Sequence, residues 1–485
     1  IDNADAKDWQ NSIPGQLHLL PGETGTLGIA LYRADEDYSG PEVFSKMRAK
    51  PNGHRQHWRK FDVSNVTNFR MMLRSTTSSV NLGNVWLSAS SPYQEGSDLD
   101  VYDLPYLDAL GQVRSRDWEG EANVGEALPL EVISDAEKTN GSSKLNVFGG
   151  WRDGPRLEAT GWFRVAKHEG RWWLVDPEGW LFWSNGINAI GAPVHAEVTD
   201  RESLFEWLPD QEDPQFGSCY QSKQDVVRFD FRGANLIRRY GSEWEERSTE
   251  LILARLNRWG FNTAGAWSSP RVNGSSKIPY TPVAFLWVPK SDRVGQTPDP
   301  FSKEFRRRVR LAVARQAEKV ADDPWCLGIY VGNEIAWPED LVDQVLKSPG
   351  NQPARVAFIR ELTQKYGSIR ELNGAWGTDH GSWDTLTADV SAMNSRMRED
   401  LDDLYELYAD MFFRQCRAEM RQQLPNHLYL GARVHVCPES VAKSALESVD
   451  VFSLNYYSQL AGVGNVPLDA DFPILLSEYH FGALD

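Results

Sequence analysis

Short apolar runs separated by stretches with apolar residues at helical spacing recur along the last three hundred or so residues of the chain. Runs at 181–190, 261–267, 283–288, 327–333, 428–434, 451–455 and 474–477 read as strands. Their near-continuous apolar character is that of strands buried on both faces, as in a parallel sheet. Between them, Ser242-Glu-Trp-Glu245 has the form of a capping box ahead of a helix over 251–259, with Gly260 as its stop. Further helices are predicted over 305–320, 354–365 and 402–423. Alternating strands and helices predict an α/β fold, a (β/α)8 TIM barrel, of which seven strands are visible. No residues remain for an eighth strand, since the chain ends at Asp485, shortly after the seventh run. Either the sequence is truncated or another segment completes the sheet.

Residues 1–150 have a different pattern. Short alternating stretches at 61–66, 69–73 and 84–88, separated by Gly, Asn and Ser, predict an all-β sandwich preceding the barrel, with long loops over 91–129. The barrel domain is placed at 151–485. At its start, Asp176-Pro-Glu-Gly179 supplies turn chemistry between Trp172-Trp-Leu-Val175 and Trp180-Leu-Phe-Trp183, so a β-hairpin is expected to cap the barrel or lead into it.

With 485 residues, the chain has room for both domains. A net charge of −17 argues against a nucleic-acid or other polyanionic partner, whose recognition needs clustered Lys and Arg. It fits a solvated surface that keeps the protein soluble, as in a saline setting. Nineteen Trp residues leave rings to spare for stacking on sugar C–H faces after core packing. The four cysteines, Cys219, Cys326, Cys416 and Cys437, lack zinc-like spacing, and Cys326, in an apolar run, is expected as a buried thiol. No apolar stretch reaches the length of a membrane span, and no signal peptide is visible at Ile1.

The chemistry gathers at the ends of two runs. Glu334 closes Cys326-Leu-Gly-Ile-Tyr-Val-Gly-Asn-Glu, and Glu478 closes Phe472-Pro-Ile-Leu-Leu-Ser-Glu. Active sites of parallel barrels collect at the carboxyl ends of their strands. Cleaving a glycosidic bond needs an acid for the leaving oxygen and a second carboxylate to attack the anomeric carbon or activate water. The two pKa values must be pushed apart. Trp337 is expected to give Glu334 an apolar setting, and Tyr456 or Tyr457, together with His480, to hydrogen-bond an ionised Glu478. Asn333 is placed to bind a sugar 2-hydroxyl. An Asn-Glu dipeptide alone is weak, since a helix cap or a surface Glu reads the same way; its position after a strand carries the argument. Asn188, Trp267, Trp287, Arg433, His435 and Asn455, like Tyr456, Tyr457 and His480, end expected strands, and each is a candidate either for substrate contact or for packing behind the residues that make it. No cofactor is implied. Metal binding by His435 and His480 with the glutamates lacks a supporting motif.

Several stretches resemble glycoside hydrolase family 50, the β-agarases, within the clan A retaining enzymes. They are Trp172-Trp-Leu-Val-Asp-Pro-Glu-Gly-Trp-Leu-Phe-Trp-Ser-Asn-Gly186, Tyr330-Val-Gly-Asn-Glu334, Tyr366-Gly-Ser-Ile-Arg-Glu-Leu-Asn-Gly-Ala-Trp-Gly377 and Ser477-Glu-Tyr-His-Phe-Gly482. The third is shared with family 42 β-galactosidases. The resemblance covers roughly residues 160–485. It implies Glu334 as acid/base and Glu478 as nucleophile, retention of configuration, and a β-1,4-linked galactan as substrate, agarose or neoagaro-oligosaccharides, attacked exolytically. It also implies a carbohydrate-binding-module-like sandwich at residues 1–150, and a polymer substrate favours a secreted or periplasmic enzyme. Two alternatives stay open: a hydrolase of simple β-galactosides or another red-algal galactan, and a galactan-binding protein without catalysis.

Overall fold

The computed structural model describes residues 2–7, 10–12, 66–68, 104–114, 122, 144–388, 393–435, 437–457 and 471–479. The chain divides into two compact units, residues 1–131 with 193–244, and 132–192 with 245–485.

In the first unit, Asp2–Lys7 pairs antiparallel with Gln10–Ser12 and with Val66–Asn68. The expected strands at 69–73 and 84–88 lie outside the described residues, as does most of 91–129. Residues 193–244 add a three-stranded antiparallel sheet, His195–Glu197, Tyr220–Lys223 and Val226–Asp230. The helix Phe231–Tyr240 follows it, and Phe205, Phe229, Phe231 and Ile237 form a buried cluster there.

The second unit is a mixed α/β fold built on parallel strands. Among the described residues these are β1 (Gly186–Ile187), β2 (Thr263–Ala264), β3 (Val283–Ala284), β4 (Gly328–Val331), β5 (Leu428–Tyr429), β6 (Phe452–Asn455) and β7 (Ile474–Glu478). Direct ladders join β1 to β2, β3 to β4, β4 to β5 and β6 to β7. Single bridges at Ala264–Tyr280 and Val434–Leu454 join β2 to the approach to β3, and β5 to β6. Each strand thus lies beside its successor in the sequence. All four residues of β4 and of β6 are buried, as their apolar runs require.

The strands fall inside the runs that predicted them, except that β7 extends one residue further to Glu478, and with one division. Leu181-Phe182 does not continue into β1; it pairs antiparallel with Leu174 and Val175 of the hairpin, and the chain resets through Asn185, whose N–H donates to Asn262 Oδ1 at 2.9 Å. The hairpin both leads into the sheet and covers its amino end, where Phe148, Phe163 and Phe182 pack on Leu327, Leu428 and Val451. Its turn is held by buried Asp176, whose Oδ1 accepts from the N–H groups of Glu178 and Trp180, both at 2.9 Å. Gly179 has φ 94°, and a Cβ there would lie 2.3 Å from the Leu157 carbonyl oxygen, so only glycine fits.

The helices follow their signals unevenly. Ser302 caps Lys303–Val320 by accepting from the Phe305 N–H at 2.9 Å, and Gly260, at φ 78°, ends the helix Trp244–Arg258. The Ser242–Glu245 box is not how that helix begins: a 3-10 turn over Gly241–Glu243 runs directly into it. The helix expected over 402–423 starts earlier, at Ser395, because the Asn394 side chain accepts from the Met397 N–H at 2.8 Å.

The Tyr366–Gly377 stretch does structural work. Asp400, buried on the helix Ser395–Gln423, accepts from Lys365 Nζ at 2.6 Å, Tyr366 Oη at 2.5 Å and Trp376 Nε1 at 2.7 Å. Burial alone would raise its carboxyl pKa, but these donors outweigh it and leave it below the ordinary aspartate range. A lowered folded-state pKa stabilises the fold above the unfolded value, and that contribution is lost as pH falls through the lowered one. Asp400→Ala is therefore expected to destabilise the protein by about 3–5 kcal/mol at neutral pH. The gap to wild type should narrow below about pH 4. Denaturant unfolding at several pH values checks both, and a variant with wild-type stability at pH 7 would refute the role.

Candidate active site

The carboxyl ends of four strands turn through left-handed backbone at residues that are not glycine: Ala189 after β1, Trp267 after β2, Glu334 after β4 and Arg433 after β5, with φ between 47° and 61°. Such residues cost on the order of 1–3 kcal/mol each and persist where surrounding structure over-determines them. Here backbone bonds do so: Ala189 N–H donates to the Ala266 carbonyl at 2.7 Å, and Glu334 N–H to the Arg433 carbonyl at 3.3 Å. Between β6 and β7 the register slips at Asn455, which stands opposite Glu478. These irregularities gather side chains from several strands at one end of the sheet.

Glu334 and Glu478 meet there through shared donors. The Asn455 amide nitrogen lies 2.9 Å from Glu334 Oε1 and 3.3 Å from Glu478 Oε2. The Tyr457 phenol donates to Glu478 Oε1 and lies 3.4 Å from Glu334 Oε1. Two oxygens reached by one nitrogen are at most about 6 Å apart, which is under the roughly 6.5–9.5 Å typical of inverting carboxylate pairs. Asn455 is itself 0% exposed, and its Oδ1 lies 2.8 Å from the Ser477 hydroxyl, which leaves the amide N–H groups for the carboxylates.

The cation of the site is Arg433. Its side chain is 0% exposed; one terminal nitrogen donates to Glu478 Oε2 at 2.5 Å and Nε to Asn333 Oδ1 at 2.7 Å. The guanidinium lies 4.5 Å from the Trp267 ring centre and 5.0 Å from that of Tyr330. Burial, then the hydrogen bond to Glu478 and the charges of both glutamates, push the Tyr457 phenol well above the ordinary tyrosine value.

Other expected residues sit at differing removes. Asn188 donates from Nδ2 to the Ser477 carbonyl at 3.0 Å, tying the end of β1 to that of β7. His435 is exposed, its Nδ1 3.2 Å from the Asn455 carbonyl and its ring 5.4 Å from that of Tyr457. Tyr456, half-buried, contributes its backbone N–H to the Glu478 carbonyl at 2.8 Å. Trp287 is 62% exposed, with the Arg308 guanidinium 4.7 Å from its ring. Trp337 is not brought to the carboxylates: it is buried against Tyr408, Phe412 and Phe413 of the helix Ser395–Gln423, because its apolar ring completes that interface. His480 lies outside the described residues. Among the described residues no group of three or more His, Cys, Asp or Glu is placed to hold a metal ion.

No protein-family model matches the chain. Beta-agarase B of Vibrio sp. (strain JT0107) is 30% identical over 570 residues, a match taking in 100% of this chain and 57% of that protein. Beta-agarase A of the same strain is 30% identical over 443 residues, 78% of this chain and 43% of that one. The chain thus spans about half the length of the curated relatives it matches. Among solved structures, PfGH50B has a TM-score of 0.70 at 28% identity, covering 77% of this chain and 62% of that one. A structure described as an exo-beta-agarase has a TM-score of 0.70 at 27% identity, covering 78% and 61%. The chain is thus similar in sequence to named β-agarases and in fold to structures described as agarases.

The paired carboxyl groups, with the amide of Asn333 and the phenol of Tyr457 nearby, supply the two acidic groups that glycoside hydrolysis requires. The partnership of Arg433 with Glu478 was missed by sequence reasoning. Its signal was present: an arginine inside the apolar run Leu428-Tyr-Leu-Gly-Ala-Arg-Val434 has to be buried, and a buried guanidinium needs a carboxylate. Phe285 and Tyr479, 63% and 50% exposed just beyond β3 and β7, were also passed over.

The raised Tyr457 phenol predicts a spectroscopic result. At pH 10.5, above the usual tyrosine pKa of about 10, the tyrosinate absorbance of wild type and of Tyr457→Phe should match, because Tyr457 remains protonated in the folded protein. A wild-type excess of one tyrosinate would contradict the environment described.

Proposed function

We propose that the chain is the catalytic part of a retaining β-agarase, cleaving β-1,4 linkages of agarose or neoagaro-oligosaccharides. The observation that carries this is the pair Glu334 and Glu478 sharing the donors of Asn455 and Tyr457 at strand ends, in a chain similar to named β-agarases. Glu334 is the acid/base. Glu478 is the nucleophile, its charge compensated by Arg433. Asn333 binds the sugar 2-hydroxyl, a contact that strengthens in the oxocarbenium-like transition state. Trp267 and Trp287, with Phe285 and Tyr479, offer ring faces for neighbouring sugars. The similarity to a structure described as an exo-beta-agarase supports an exolytic mode.

The fold reading is a (β/α)8 barrel at 151–485, supported by parallel strands in sequence order with helices between them, and residues 193–244 are an excursion from it. A β-sandwich resembling a carbohydrate-binding module is the reading for residues 1–150, supported by the antiparallel pairing of its described strands. Among the described residues no helix is long and apolar enough to cross a membrane. A polymer too large to enter a cell calls for an enzyme that is secreted or periplasmic.

Glu478→Ala is expected to lower hydrolysis of neoagaro-oligosaccharides about 10⁴-fold or more. Added azide should then restore turnover by entering the vacated space and yielding an α-glycosyl azide. Near-wild-type hydrolysis by the variant, or a β-glycosyl azide, would remove Glu478 from the nucleophile's role.

A further inference from the structure

We infer that Arg433 is a positioning residue for the reaction proposed above: one buried guanidinium sets both the aim of the nucleophile Glu478 and the polarity of Asn333 toward the sugar 2-hydroxyl. The inference rests on the glycosidase reading of the two glutamates.

Three observations converge on it. Arg433 contacts both groups at once, at 2.5 Å to Glu478 Oε2 and 2.7 Å to Asn333 Oδ1. It has no freedom to do otherwise: it is 0% exposed, lies within reach of the Trp267 and Tyr330 rings, and its backbone N–H is held by Ser453 Oγ at 3.0 Å in a left-handed turn. Finally, a guanidinium has only donors. The Asn333 atom beside it must therefore be the carbonyl oxygen, which leaves the NH2 group as the part free to donate. A sugar 2-hydroxyl bound by Asn333 then accepts from that NH2, and its own hydrogen is available to Glu478. Lysine carries the same charge but lacks the planar fork that reaches two acceptors in fixed geometry.

This differs from a purely structural role, in which Arg433 would hold the strand ends together and its loss would lower stability and activity alike. The test is steady-state kinetics on neoagaro-oligosaccharides with wild type, Arg433→Lys, Arg433→Met, Asn333→Ala and the Arg433→Met/Asn333→Ala double variant. Thermal unfolding of each and a crystal structure of Arg433→Met accompany it. Misplacement of a reacting group by about 1 Å lowers rate on the order of 100-fold. Both Arg433 variants are expected to lose roughly that factor in kcat with KM changed less than about threefold, in protein that still unfolds cooperatively. The double variant should fall at least about tenfold short of the product of the single losses, since both substitutions disable the Asn333 contact. In the Arg433→Met structure the Asn333 amide and the Glu478 carboxylate should be turned from their wild-type orientations. Independent multiplying losses, a kcat like that of wild type, or unmoved Asn333 and Glu478 would overturn the inference. If wild type itself hydrolyses nothing, the functional reading fails, and the Arg433→Met structure alone decides whether Arg433 orients the two groups.

Discussion

Two carboxyl groups held within one sugar's width repel each other whenever both are ionised, and the rest of this site is arranged around that constraint. At about 6 Å and an effective dielectric near 20, two unit charges repel by roughly 3 kcal/mol. Glu334 and Glu478 are given three polar neighbours against it: the Asn455 amide between them, the Tyr457 phenol beside both, and the Arg433 guanidinium on the same Glu478 oxygen that Asn455 reaches. The donors are unequally shared. Of the two glutamates Arg433 bonds Glu478, so the positive charge lies on the side of the proposed nucleophile, and the more exposed Glu334 keeps contact with solvent. An asymmetric environment of this kind is what assigns different roles to two chemically identical groups.

Holding such a cluster requires a scaffold that tolerates strain. Trp267, Glu334 and Arg433 adopt left-handed backbone beyond strands whose own residues are fully buried, and ladder-like hydrogen bonds continue past these turns. Further out, Asp400 gathers Lys365, Tyr366 and Trp376 and so ties the helices Pro353–Tyr366 and Ile369–Trp376 to the long helix Ser395–Gln423. That same helix receives Trp337, three residues beyond Glu334. The segment carrying the proposed acid/base is thereby anchored on its core side.

Much of this was legible in the chain. The apolar runs located every described parallel strand because a strand covered on both faces leaves no room for alternation, and a charged residue closing such a run has only the strand-end cleft to occupy. Side-chain partners were harder to read. Tyr457 was foreseen beside Glu478, but Trp337 was misplaced because sequence proximity to Glu334 says nothing about which side of the strand end a ring will take. Arg433 was seen as a strand-end residue and not as the partner of Glu478, since the pairing joins different strands and depends on a left-handed turn that no local motif announces. The division of 181–190 between the hairpin and β1 escaped notice for a similar reason: the run is continuously apolar on both sides of a break made by backbone bonding to distant Asn262.

The central claim is that Glu334 and Glu478 act on opposite faces of one sugar ring with the nucleophile bonding to it. Proton NMR of the first product released from a neoagaro-oligosaccharide, recorded before mutarotation, tests this most directly. With Glu478 as nucleophile, the newly formed reducing-end galactose is expected to appear first as the β anomer. Initial appearance of the α anomer would mean a single displacement by water, and would contradict that role.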